Sequence, residues 1–305
     1  LHKTQTGDYN EMSLSGHDYE NWQFLSAQSE SCNAVNCRYA KSLCYVNRVR
    51  RAAEKADLLV LNHSLLLASC FMKERSLNNI LPPVSHLIID EAHHLDMVAE
   101  SQLTAAFSLK TLEKALANLW RHGRLTTTLK HLKKLTNPQS TPLFSQVEKM
   151  TGMVDELKIS AKETFAICKT YLQSHSRPNL TLQLRITEQR TAVDWEPLET
   201  SLSNTIFLLQ RLTKQLKEIC KTMGDTEDPY FSIDLMGDFS MALNALTEEN
   251  QNAQTIVDNK TNSVIWLEMT SHDEYPVWYI APLDVREALA EYLYEDKESI
   301  VMTSA

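Results

Sequence analysis

"HLIIDEAHHL" (residues 86–95) decides how this 305-residue chain is read. Leu87 to Ile89 form an apolar run without alternation, which predicts a buried parallel strand. Asp90 and Glu91 stand just past its C-terminal end, where open α/β sheets hold their ligands. Hydrolysis of a nucleoside triphosphate needs a carboxylate to hold Mg²⁺ and a group to orient the attacking water. Asp90 suits the first role and Glu91 the second, and His93 is placed to report the γ-phosphate to a neighbouring motif. The competing reading is an acidic strand-to-helix turn with Asp90 as N-cap. The full D-E-A-H order behind an apolar strand favours the catalytic reading.

Such carboxylates work with a phosphate-cradling loop, G-x-x-x-x-G-K-[ST], because only glycine lets the backbone N–H groups close round phosphates. The six glycines are Gly7, Gly16, Gly123, Gly152, Gly224 and Gly237. No two have that spacing and none precedes a lysine, so these residues do not contain the loop. The start at Leu1 rather than methionine hints at a processed or excised piece.

Upstream, "ADLLVLNHSLLLASCF" (56–71) predicts a buried strand passing into a helix. Residues 1–55 have little apolar periodicity and hold a C-x4-C-x6-C cluster of Cys32, Cys37 and Cys44. In an intracellular chain, cysteines this close are expected to ligate metal rather than form disulfides. Three thiolates leave one place open. Zinc would accept His17; an iron–sulfur cluster would want a fourth cysteine, for which Cys70 is nearest. The net charge of −9 does not advertise a nucleic-acid binder, yet two basic stretches stand out. One runs beside the cysteines through Arg38, Lys41, Arg48, Arg50 and Arg51. The other lies between Lys110 and Lys134. No apolar run reaches membrane-spanning length and no signal peptide opens the chain, so the expectation is a soluble cytoplasmic protein with no membrane partner.

Downstream, helical stripes dominate. Ser108 is placed to cap a helix carrying Leu109, Leu112, Leu116, Leu119 and Trp120, with Gly123 to end it. Val147, Met150, Val154, Leu157, Ala161, Phe165, Cys168 and Leu172 mark a longer helix. Leu198, Leu202, Leu209, Leu212, Leu216 and Ile219 mark another. These stripes make Cys168 and Cys220 core thiols. Between them, "LTLQLRIT" (180–187) alternates as a half-buried strand. From Ser263 the β pattern returns in "SVIWLEM" and "VWYIAPLDV", then a helix "REALAEYLY", then the strand "ESIVMTSA". The predicted fold is α/β, with a sheet interrupted by a large, mostly helical insertion.

The D-E-A-H box, the "LNHSLLL" stretch before it, the cysteine cluster before that and the terminal "TSA" together resemble the DinG branch of the XPD/DinG iron–sulfur DNA helicases of superfamily 2. "TQTGDYNEM" (4–12) is similar to the segment leading into that family's cluster domain, and "WYIAPLDV" to the strand before motif III. The resemblance covers about residues 1–100 and 263–305; the middle matches in place and helical character. It implies an iron–sulfur cluster segment over 1–55 and a partial RecA-like motor domain over 56–100. It further implies a helical arch domain over 101–262 and the rest of that motor domain, as far as motif III, over 263–305. Asp90, Glu91, His93 and Ser304 would be catalytic. Cys32, Cys37 and Cys44 would ligate a 4Fe-4S cluster whose fourth ligand lies upstream. Mg²⁺ and ATP would bind in the full-length protein, and Arg38, Lys41, Arg48, Arg50 and Arg51 would bind phosphates of single-stranded DNA. The remaining helicase chain would supply the phosphate loop and second motor domain. The parent would couple ATP hydrolysis to DNA unwinding in repair or replication, and these residues alone would not hydrolyse ATP. The competing expectation is a metal-stabilised interaction module with a vestigial D-E-A-H box.

Overall fold

A computed structural model describes residues 4–11, 43–71, 81–120, 127–128, 130–131, 140–176, 180–225, 233–258 and 262–304. Helix dominates and the sheets are small. Two compact units form: residues 1–102 with 286–305, and residues 103–285.

In the first unit, β1 (His86–Ile89) pairs in parallel with β6 (Ser299–Met302), in the register Leu87 to Ile300 and Ile89 to Met302. The helices of this unit are α1 (Tyr45–Ala53), α2 (His63–Phe71), α3 (Leu95–Leu103) and α8 (Arg286–Leu289), the last continuing as a π turn over Ala290–Tyr294. Leu67, Ile89, Leu95, Ala99, Leu289 and Leu293 are buried. Phe71 meets Tyr292 edge-on, with ring centroids 6.0 Å apart. The strand expected from "ADLLVL" does not form. Leu58 and Val60 are 77% and 92% exposed and lie outside any β ladder among the described residues. An extended segment becomes a strand only when a neighbour takes its N–H and C=O groups.

The second unit is built on helices α4 (Leu109–Trp120), α5 (Ser140–His175), α6 (Glu196–Gly224) and α7 (Ile233–Asp258). The expected stripes are its core: Leu112, Leu116, Val147, Val154, Phe165, Cys168, Leu209 and Leu216 are all fully buried. Ser108 caps α4 as expected, its Oγ accepting the Thr111 N–H at 3.0 Å. Across α5 and α6, the hydroxyls of Thr164 and Thr205 lie 2.8 Å apart, with Ser160 and Ser201 completing a polar seam.

The strands of this unit, β2 (Ala105–Phe107), β3 (Thr181–Arg185), β4 (Ser263–Thr270) and β5 (Val277–Pro282), form an antiparallel sheet ordered β2-β5-β4-β3. This corrects one expectation. The sheet that contains the D-E-A-H strand does not resume at Ser263; β4 and β5 belong to the helical unit's own sheet, and only β6 returns to β1. The reason shows in their burial. Ile265, Leu267 and Met269 are buried while Val264, Trp266 and Glu268 are less so, the one-sided alternation of an antiparallel sheet rather than the two-sided burial of a parallel one. No helix among the described residues is long and apolar enough to cross a membrane.

Candidate active site

The chain leaves β1 at Ile89 and turns at once. The Asp90 carboxylate accepts the Thr303 hydroxyl at 2.5 Å and the Glu91 N–H at 3.1 Å. These two donors, with a smaller contribution from His63, hold its carboxyl below the usual carboxylate range, so it is ionised and open to solvent. Glu91 adopts left-handed backbone angles, φ 50° and ψ 44°, and is the one non-glycine with positive φ among the described residues. For a glutamate this conformation costs about 1–2 kcal/mol. Its Oε2 lies 3.2 Å from His93 Nδ1, which is also 2.9 Å from Ser304 Oγ. The main chain ties the turn to the end of β6: the Ala92 N–H donates to the Thr303 carbonyl, and the Thr303 N–H to the Ile89 carbonyl, each at 2.9 Å. The structure therefore brings Asp90, Glu91, His93 and Ser304 together.

Two neighbours escaped the sequence reading. Thr303 stands beside Ser304 and holds Asp90. His63 lies in "LNHSLLL", a stretch read for its apolar run and its family resemblance but with no role given to the histidine; its Nε2 meets the Asp90 carbonyl at 2.9 Å.

On the cysteine side, Cys32, Cys37, Arg38 and Lys41 lie outside the described residues, as do His17, Lys133 and Lys134. Cys44 is the N-cap of α1, its Sγ accepting the Asn47 N–H at 3.5 Å. Arg48 is engaged locally. It donates to the Gln5 carbonyl and lies 4.7 Å over the Tyr45 ring, whose hydroxyl donates to the Thr4 carbonyl. Gly7, at φ 78°, packs on that ring so closely that a Cβ would fall 2.5 Å from Tyr45 Cγ. Opposite, Glu11 accepts the Thr4 hydroxyl and the Gln5 and Thr6 N–H groups. These bonds, those from the threonine side chains above all, pull its carboxyl down to about 2. Arg50 and Arg51 sit in the last turn of α1.

Cys70 is buried in α2. Burial pushes the Cys168 thiol up to about 12 and the Cys220 thiol up to about 11, which disfavours the thiolate that a metal needs. Among the described residues, no group of three or more His, Cys, Asp or Glu side chains is placed to hold a metal ion.

No family model matches the chain. A Bacillus subtilis protein named 3'-5' exonuclease DinG aligns with the whole of it at 23% identity, using 33% of its own length. The Escherichia coli ATP-dependent DNA helicase YoaA is 29% identical over 36% of the chain and 17% of its own length. The Salmonella typhimurium ATP-dependent DNA helicase DinG is 27% identical over 51% of the chain and 21% of its own length. The chain is a relative of the DinG and YoaA proteins. It spans a third or less of the length of these relatives.

Proposed function

We propose that these residues are the carboxylate side of an ATP-driven DNA helicase motor, completed by a phosphate-binding loop and a second motor domain outside them. The observation that carries this reading is the turn in which Asp90, Glu91 and His93 meet Ser304 at the exits of two parallel strands. That is where an open α/β sheet places a ligand. Bound Mg²⁺ would neutralise charge on the phosphates. Asp90 fits as its ligand, being ionised, exposed and held in orientation by Thr303. Glu91 would orient the water, and its hydrogen-bonded neighbour His93 would pass the state of the turn to Ser304. The relatives' helicase names support the same reading.

Cys32, Cys37 and Cys44 would hold an iron–sulfur cluster, whose role would be to order the segment beside the DNA path. Cys44 fits such a ligand because its sulfur already accepts a backbone N–H, an interaction that stabilises and tunes cluster thiolates. Arg38, Lys41, Arg48, Arg50 and Arg51 would line the path of a single strand, and the helical unit would be the arch. Arg48 is the weakest member of this set, since its guanidinium already serves Gln5 and Tyr45.

The exonuclease name of the Bacillus subtilis relative favours a second reading, nuclease chemistry. A two-metal nuclease would need a cluster of ligating side chains. Glu91→Gln in the full natural chain separates the two. It should abolish ATP turnover while nucleotide still binds. ATP turnover untouched by the substitution sinks the motor reading, and DNA degradation lost with it would install the second.

A further inference from the structure

We propose that His63 is a positioning residue for the carboxylate turn: by holding the Asp90 carbonyl it keeps Glu91 left-handed and its carboxylate beside His93. The catalytic consequence rests on the motor reading above; the structural latch does not.

The peptide unit between Asp90 and Glu91 is held at both ends. Its carbonyl meets His63 Nε2 at 2.9 Å, and its N–H donates to the Asp90 carboxylate at 3.1 Å. The φ angle of Glu91 and the ψ angle of Asp90 share this one peptide plane. To relax Glu91 from φ 50° into the ordinary negative range, the plane must rotate, and rotation swings the carbonyl away from His63. An unheld glutamate has every reason to relax, because the left-handed region crowds its Cβ against the backbone. Relaxed, it would aim its carboxylate elsewhere and leave His93 Nδ1 with Ser304 alone.

His63 is itself well placed to act as the fixed end. It is the first residue of α2, directly after Asn62, whose Oδ1 accepts the Leu65 N–H at 2.8 Å and so caps the helix. Leu67 and Cys70, on the same helix, are buried. The imidazole therefore inherits its position from a capped and anchored helix, and Nε2–H donates to the carbonyl in the Nε2-protonated neutral ring and in the imidazolium alike. The other main-chain bonds of the turn, Ala92 N–H to the Thr303 carbonyl, His94 N–H to the Glu91 carbonyl and Thr303 N–H to the Ile89 carbonyl, lie on either side of the Asp90–Glu91 plane; besides His63, that plane is held by the Asp90 carboxylate, itself fixed by Thr303.

The test has two arms. In the first, the chain is labelled at glutamate and the intraresidue HN–Hα Overhauser effect of Glu91 is measured by NMR; it is intense only at positive φ. It should be strong in the unaltered protein, weak in His63→Ala, and strong again in His63→Gln, which restores an N–H donor. Should His63→Ala fail to fold, His63→Leu keeps the bulk without the donor and is read in the same way. A strong effect in the donorless variant overturns the proposal. In the second arm, ATP turnover is measured in the full natural chain. His63→Ala should lower kcat roughly tenfold or more with the KM for ATP unchanged, as misplacing a catalytic group does, and His63→Gln should recover part of it. Turnover lost in Glu91→Gln yet normal in His63→Ala overturns the positioning role. Turnover indifferent to Glu91→Gln overturns the motor reading instead, and the first arm still decides the latch.

Discussion

Replacing Glu249 with glutamine should stabilise the chain increasingly as pH rises above 4.5, with the full gain above about 7. Glu249 lies on α7, 8% exposed, with Oε2 3.0 Å from Thr111 Oγ1. Burial, opposed by the Thr111 bond and reinforced by the charge of Glu248, pushes its carboxyl from 4.5 up to about 7. The hydrogen-bond network points the same way. Thr111 has one hydroxyl hydrogen, and two acceptors compete for it: the Ser108 carbonyl at 3.0 Å and Glu249. A protonated Glu249 resolves the conflict by donating to Thr111, which then donates to Ser108; an ionised one leaves a buried acceptor short.

With its folded pKa raised, the native state holds this proton where the unfolded chain has released it. The stability it contributes is fully present below pH 4.5 and is lost as pH rises from 4.5 to about 7. Raising the carboxyl from 4.5 to about 7 corresponds to about 3 kcal/mol of ionisation penalty above that range. Glutamine is neutral at every pH and keeps both an acceptor and a donor for Thr111. Urea unfolding followed by the fluorescence of buried Trp195 and Trp278 would report the unit. Glu249→Gln should match the unaltered chain near about pH 4 and exceed it by about 3 kcal/mol near about pH 8. A difference that does not vary with pH, or a variant less stable at about pH 8, would refute the assignment of a buried, proton-holding carboxyl.

Thr303→Val removes the main donor to Asp90, so the carboxyl should rise toward its ordinary value. In the full natural chain the acid limb of ATP turnover should then move to higher pH, with more Mg²⁺ needed for half-maximal rate. Cys32→Ser, Cys37→Ser and Cys44→Ser should each lower bound iron, measured by absorbance and metal analysis, whereas Cys168→Ser should affect only stability. Replacing Arg50 and Arg51 by alanine should weaken single-stranded DNA binding and flatten its log–log salt slope by roughly 0.7 per lost phosphate contact. Arg48→Ala should chiefly loosen residues 4–11, seen as faster amide exchange there, because its guanidinium bonds to Gln5 and covers Tyr45.

The long helices were legible because a stripe at steps of three and four buries one face whatever lies opposite; every residue of the Val147 to Leu172 series is buried. Strand partnership was less so. "SVIWLEM" reads as a strand, but whether it joins β1 or β5 depends on pairing across distant sequence, which periodicity does not encode. "ADLLVL" misled for the same reason: apolar composition suits burial, and burial needs a neighbour. In the site, residue order singled out Asp90, Glu91 and His93, the resemblance to motif III singled out Ser304, and the structure brings the four side by side. It could not reveal His63, because its partner is a main-chain carbonyl that carries no residue signature. Nor could it reveal the left-handed Glu91, in a conformation where glycine or asparagine is the usual occupant.

The two units hold their shape by different means, and the candidate site lies in the more weakly covered one. The helical unit buries aromatic and aliphatic side chains from four helices, the sheet and the turn before α6 in one core, including Phe107, Phe165, Trp195 and Trp278. The first unit has a parallel strand pair with Ile88 76% exposed and Val301 and Met302 about half exposed. Parallel strands are stable when both faces are covered, and a two-stranded sheet alone is marginal in water. The D-E-A-H turn is held by two main-chain links, Thr303 to Ile89 and Ala92 to Thr303, and by the His63 side chain on the Asp90 carbonyl. Each link reaches a part of the chain distant in sequence. The links therefore fix the carboxylate turn from two separate elements: β6 through Thr303 and α2 through His63.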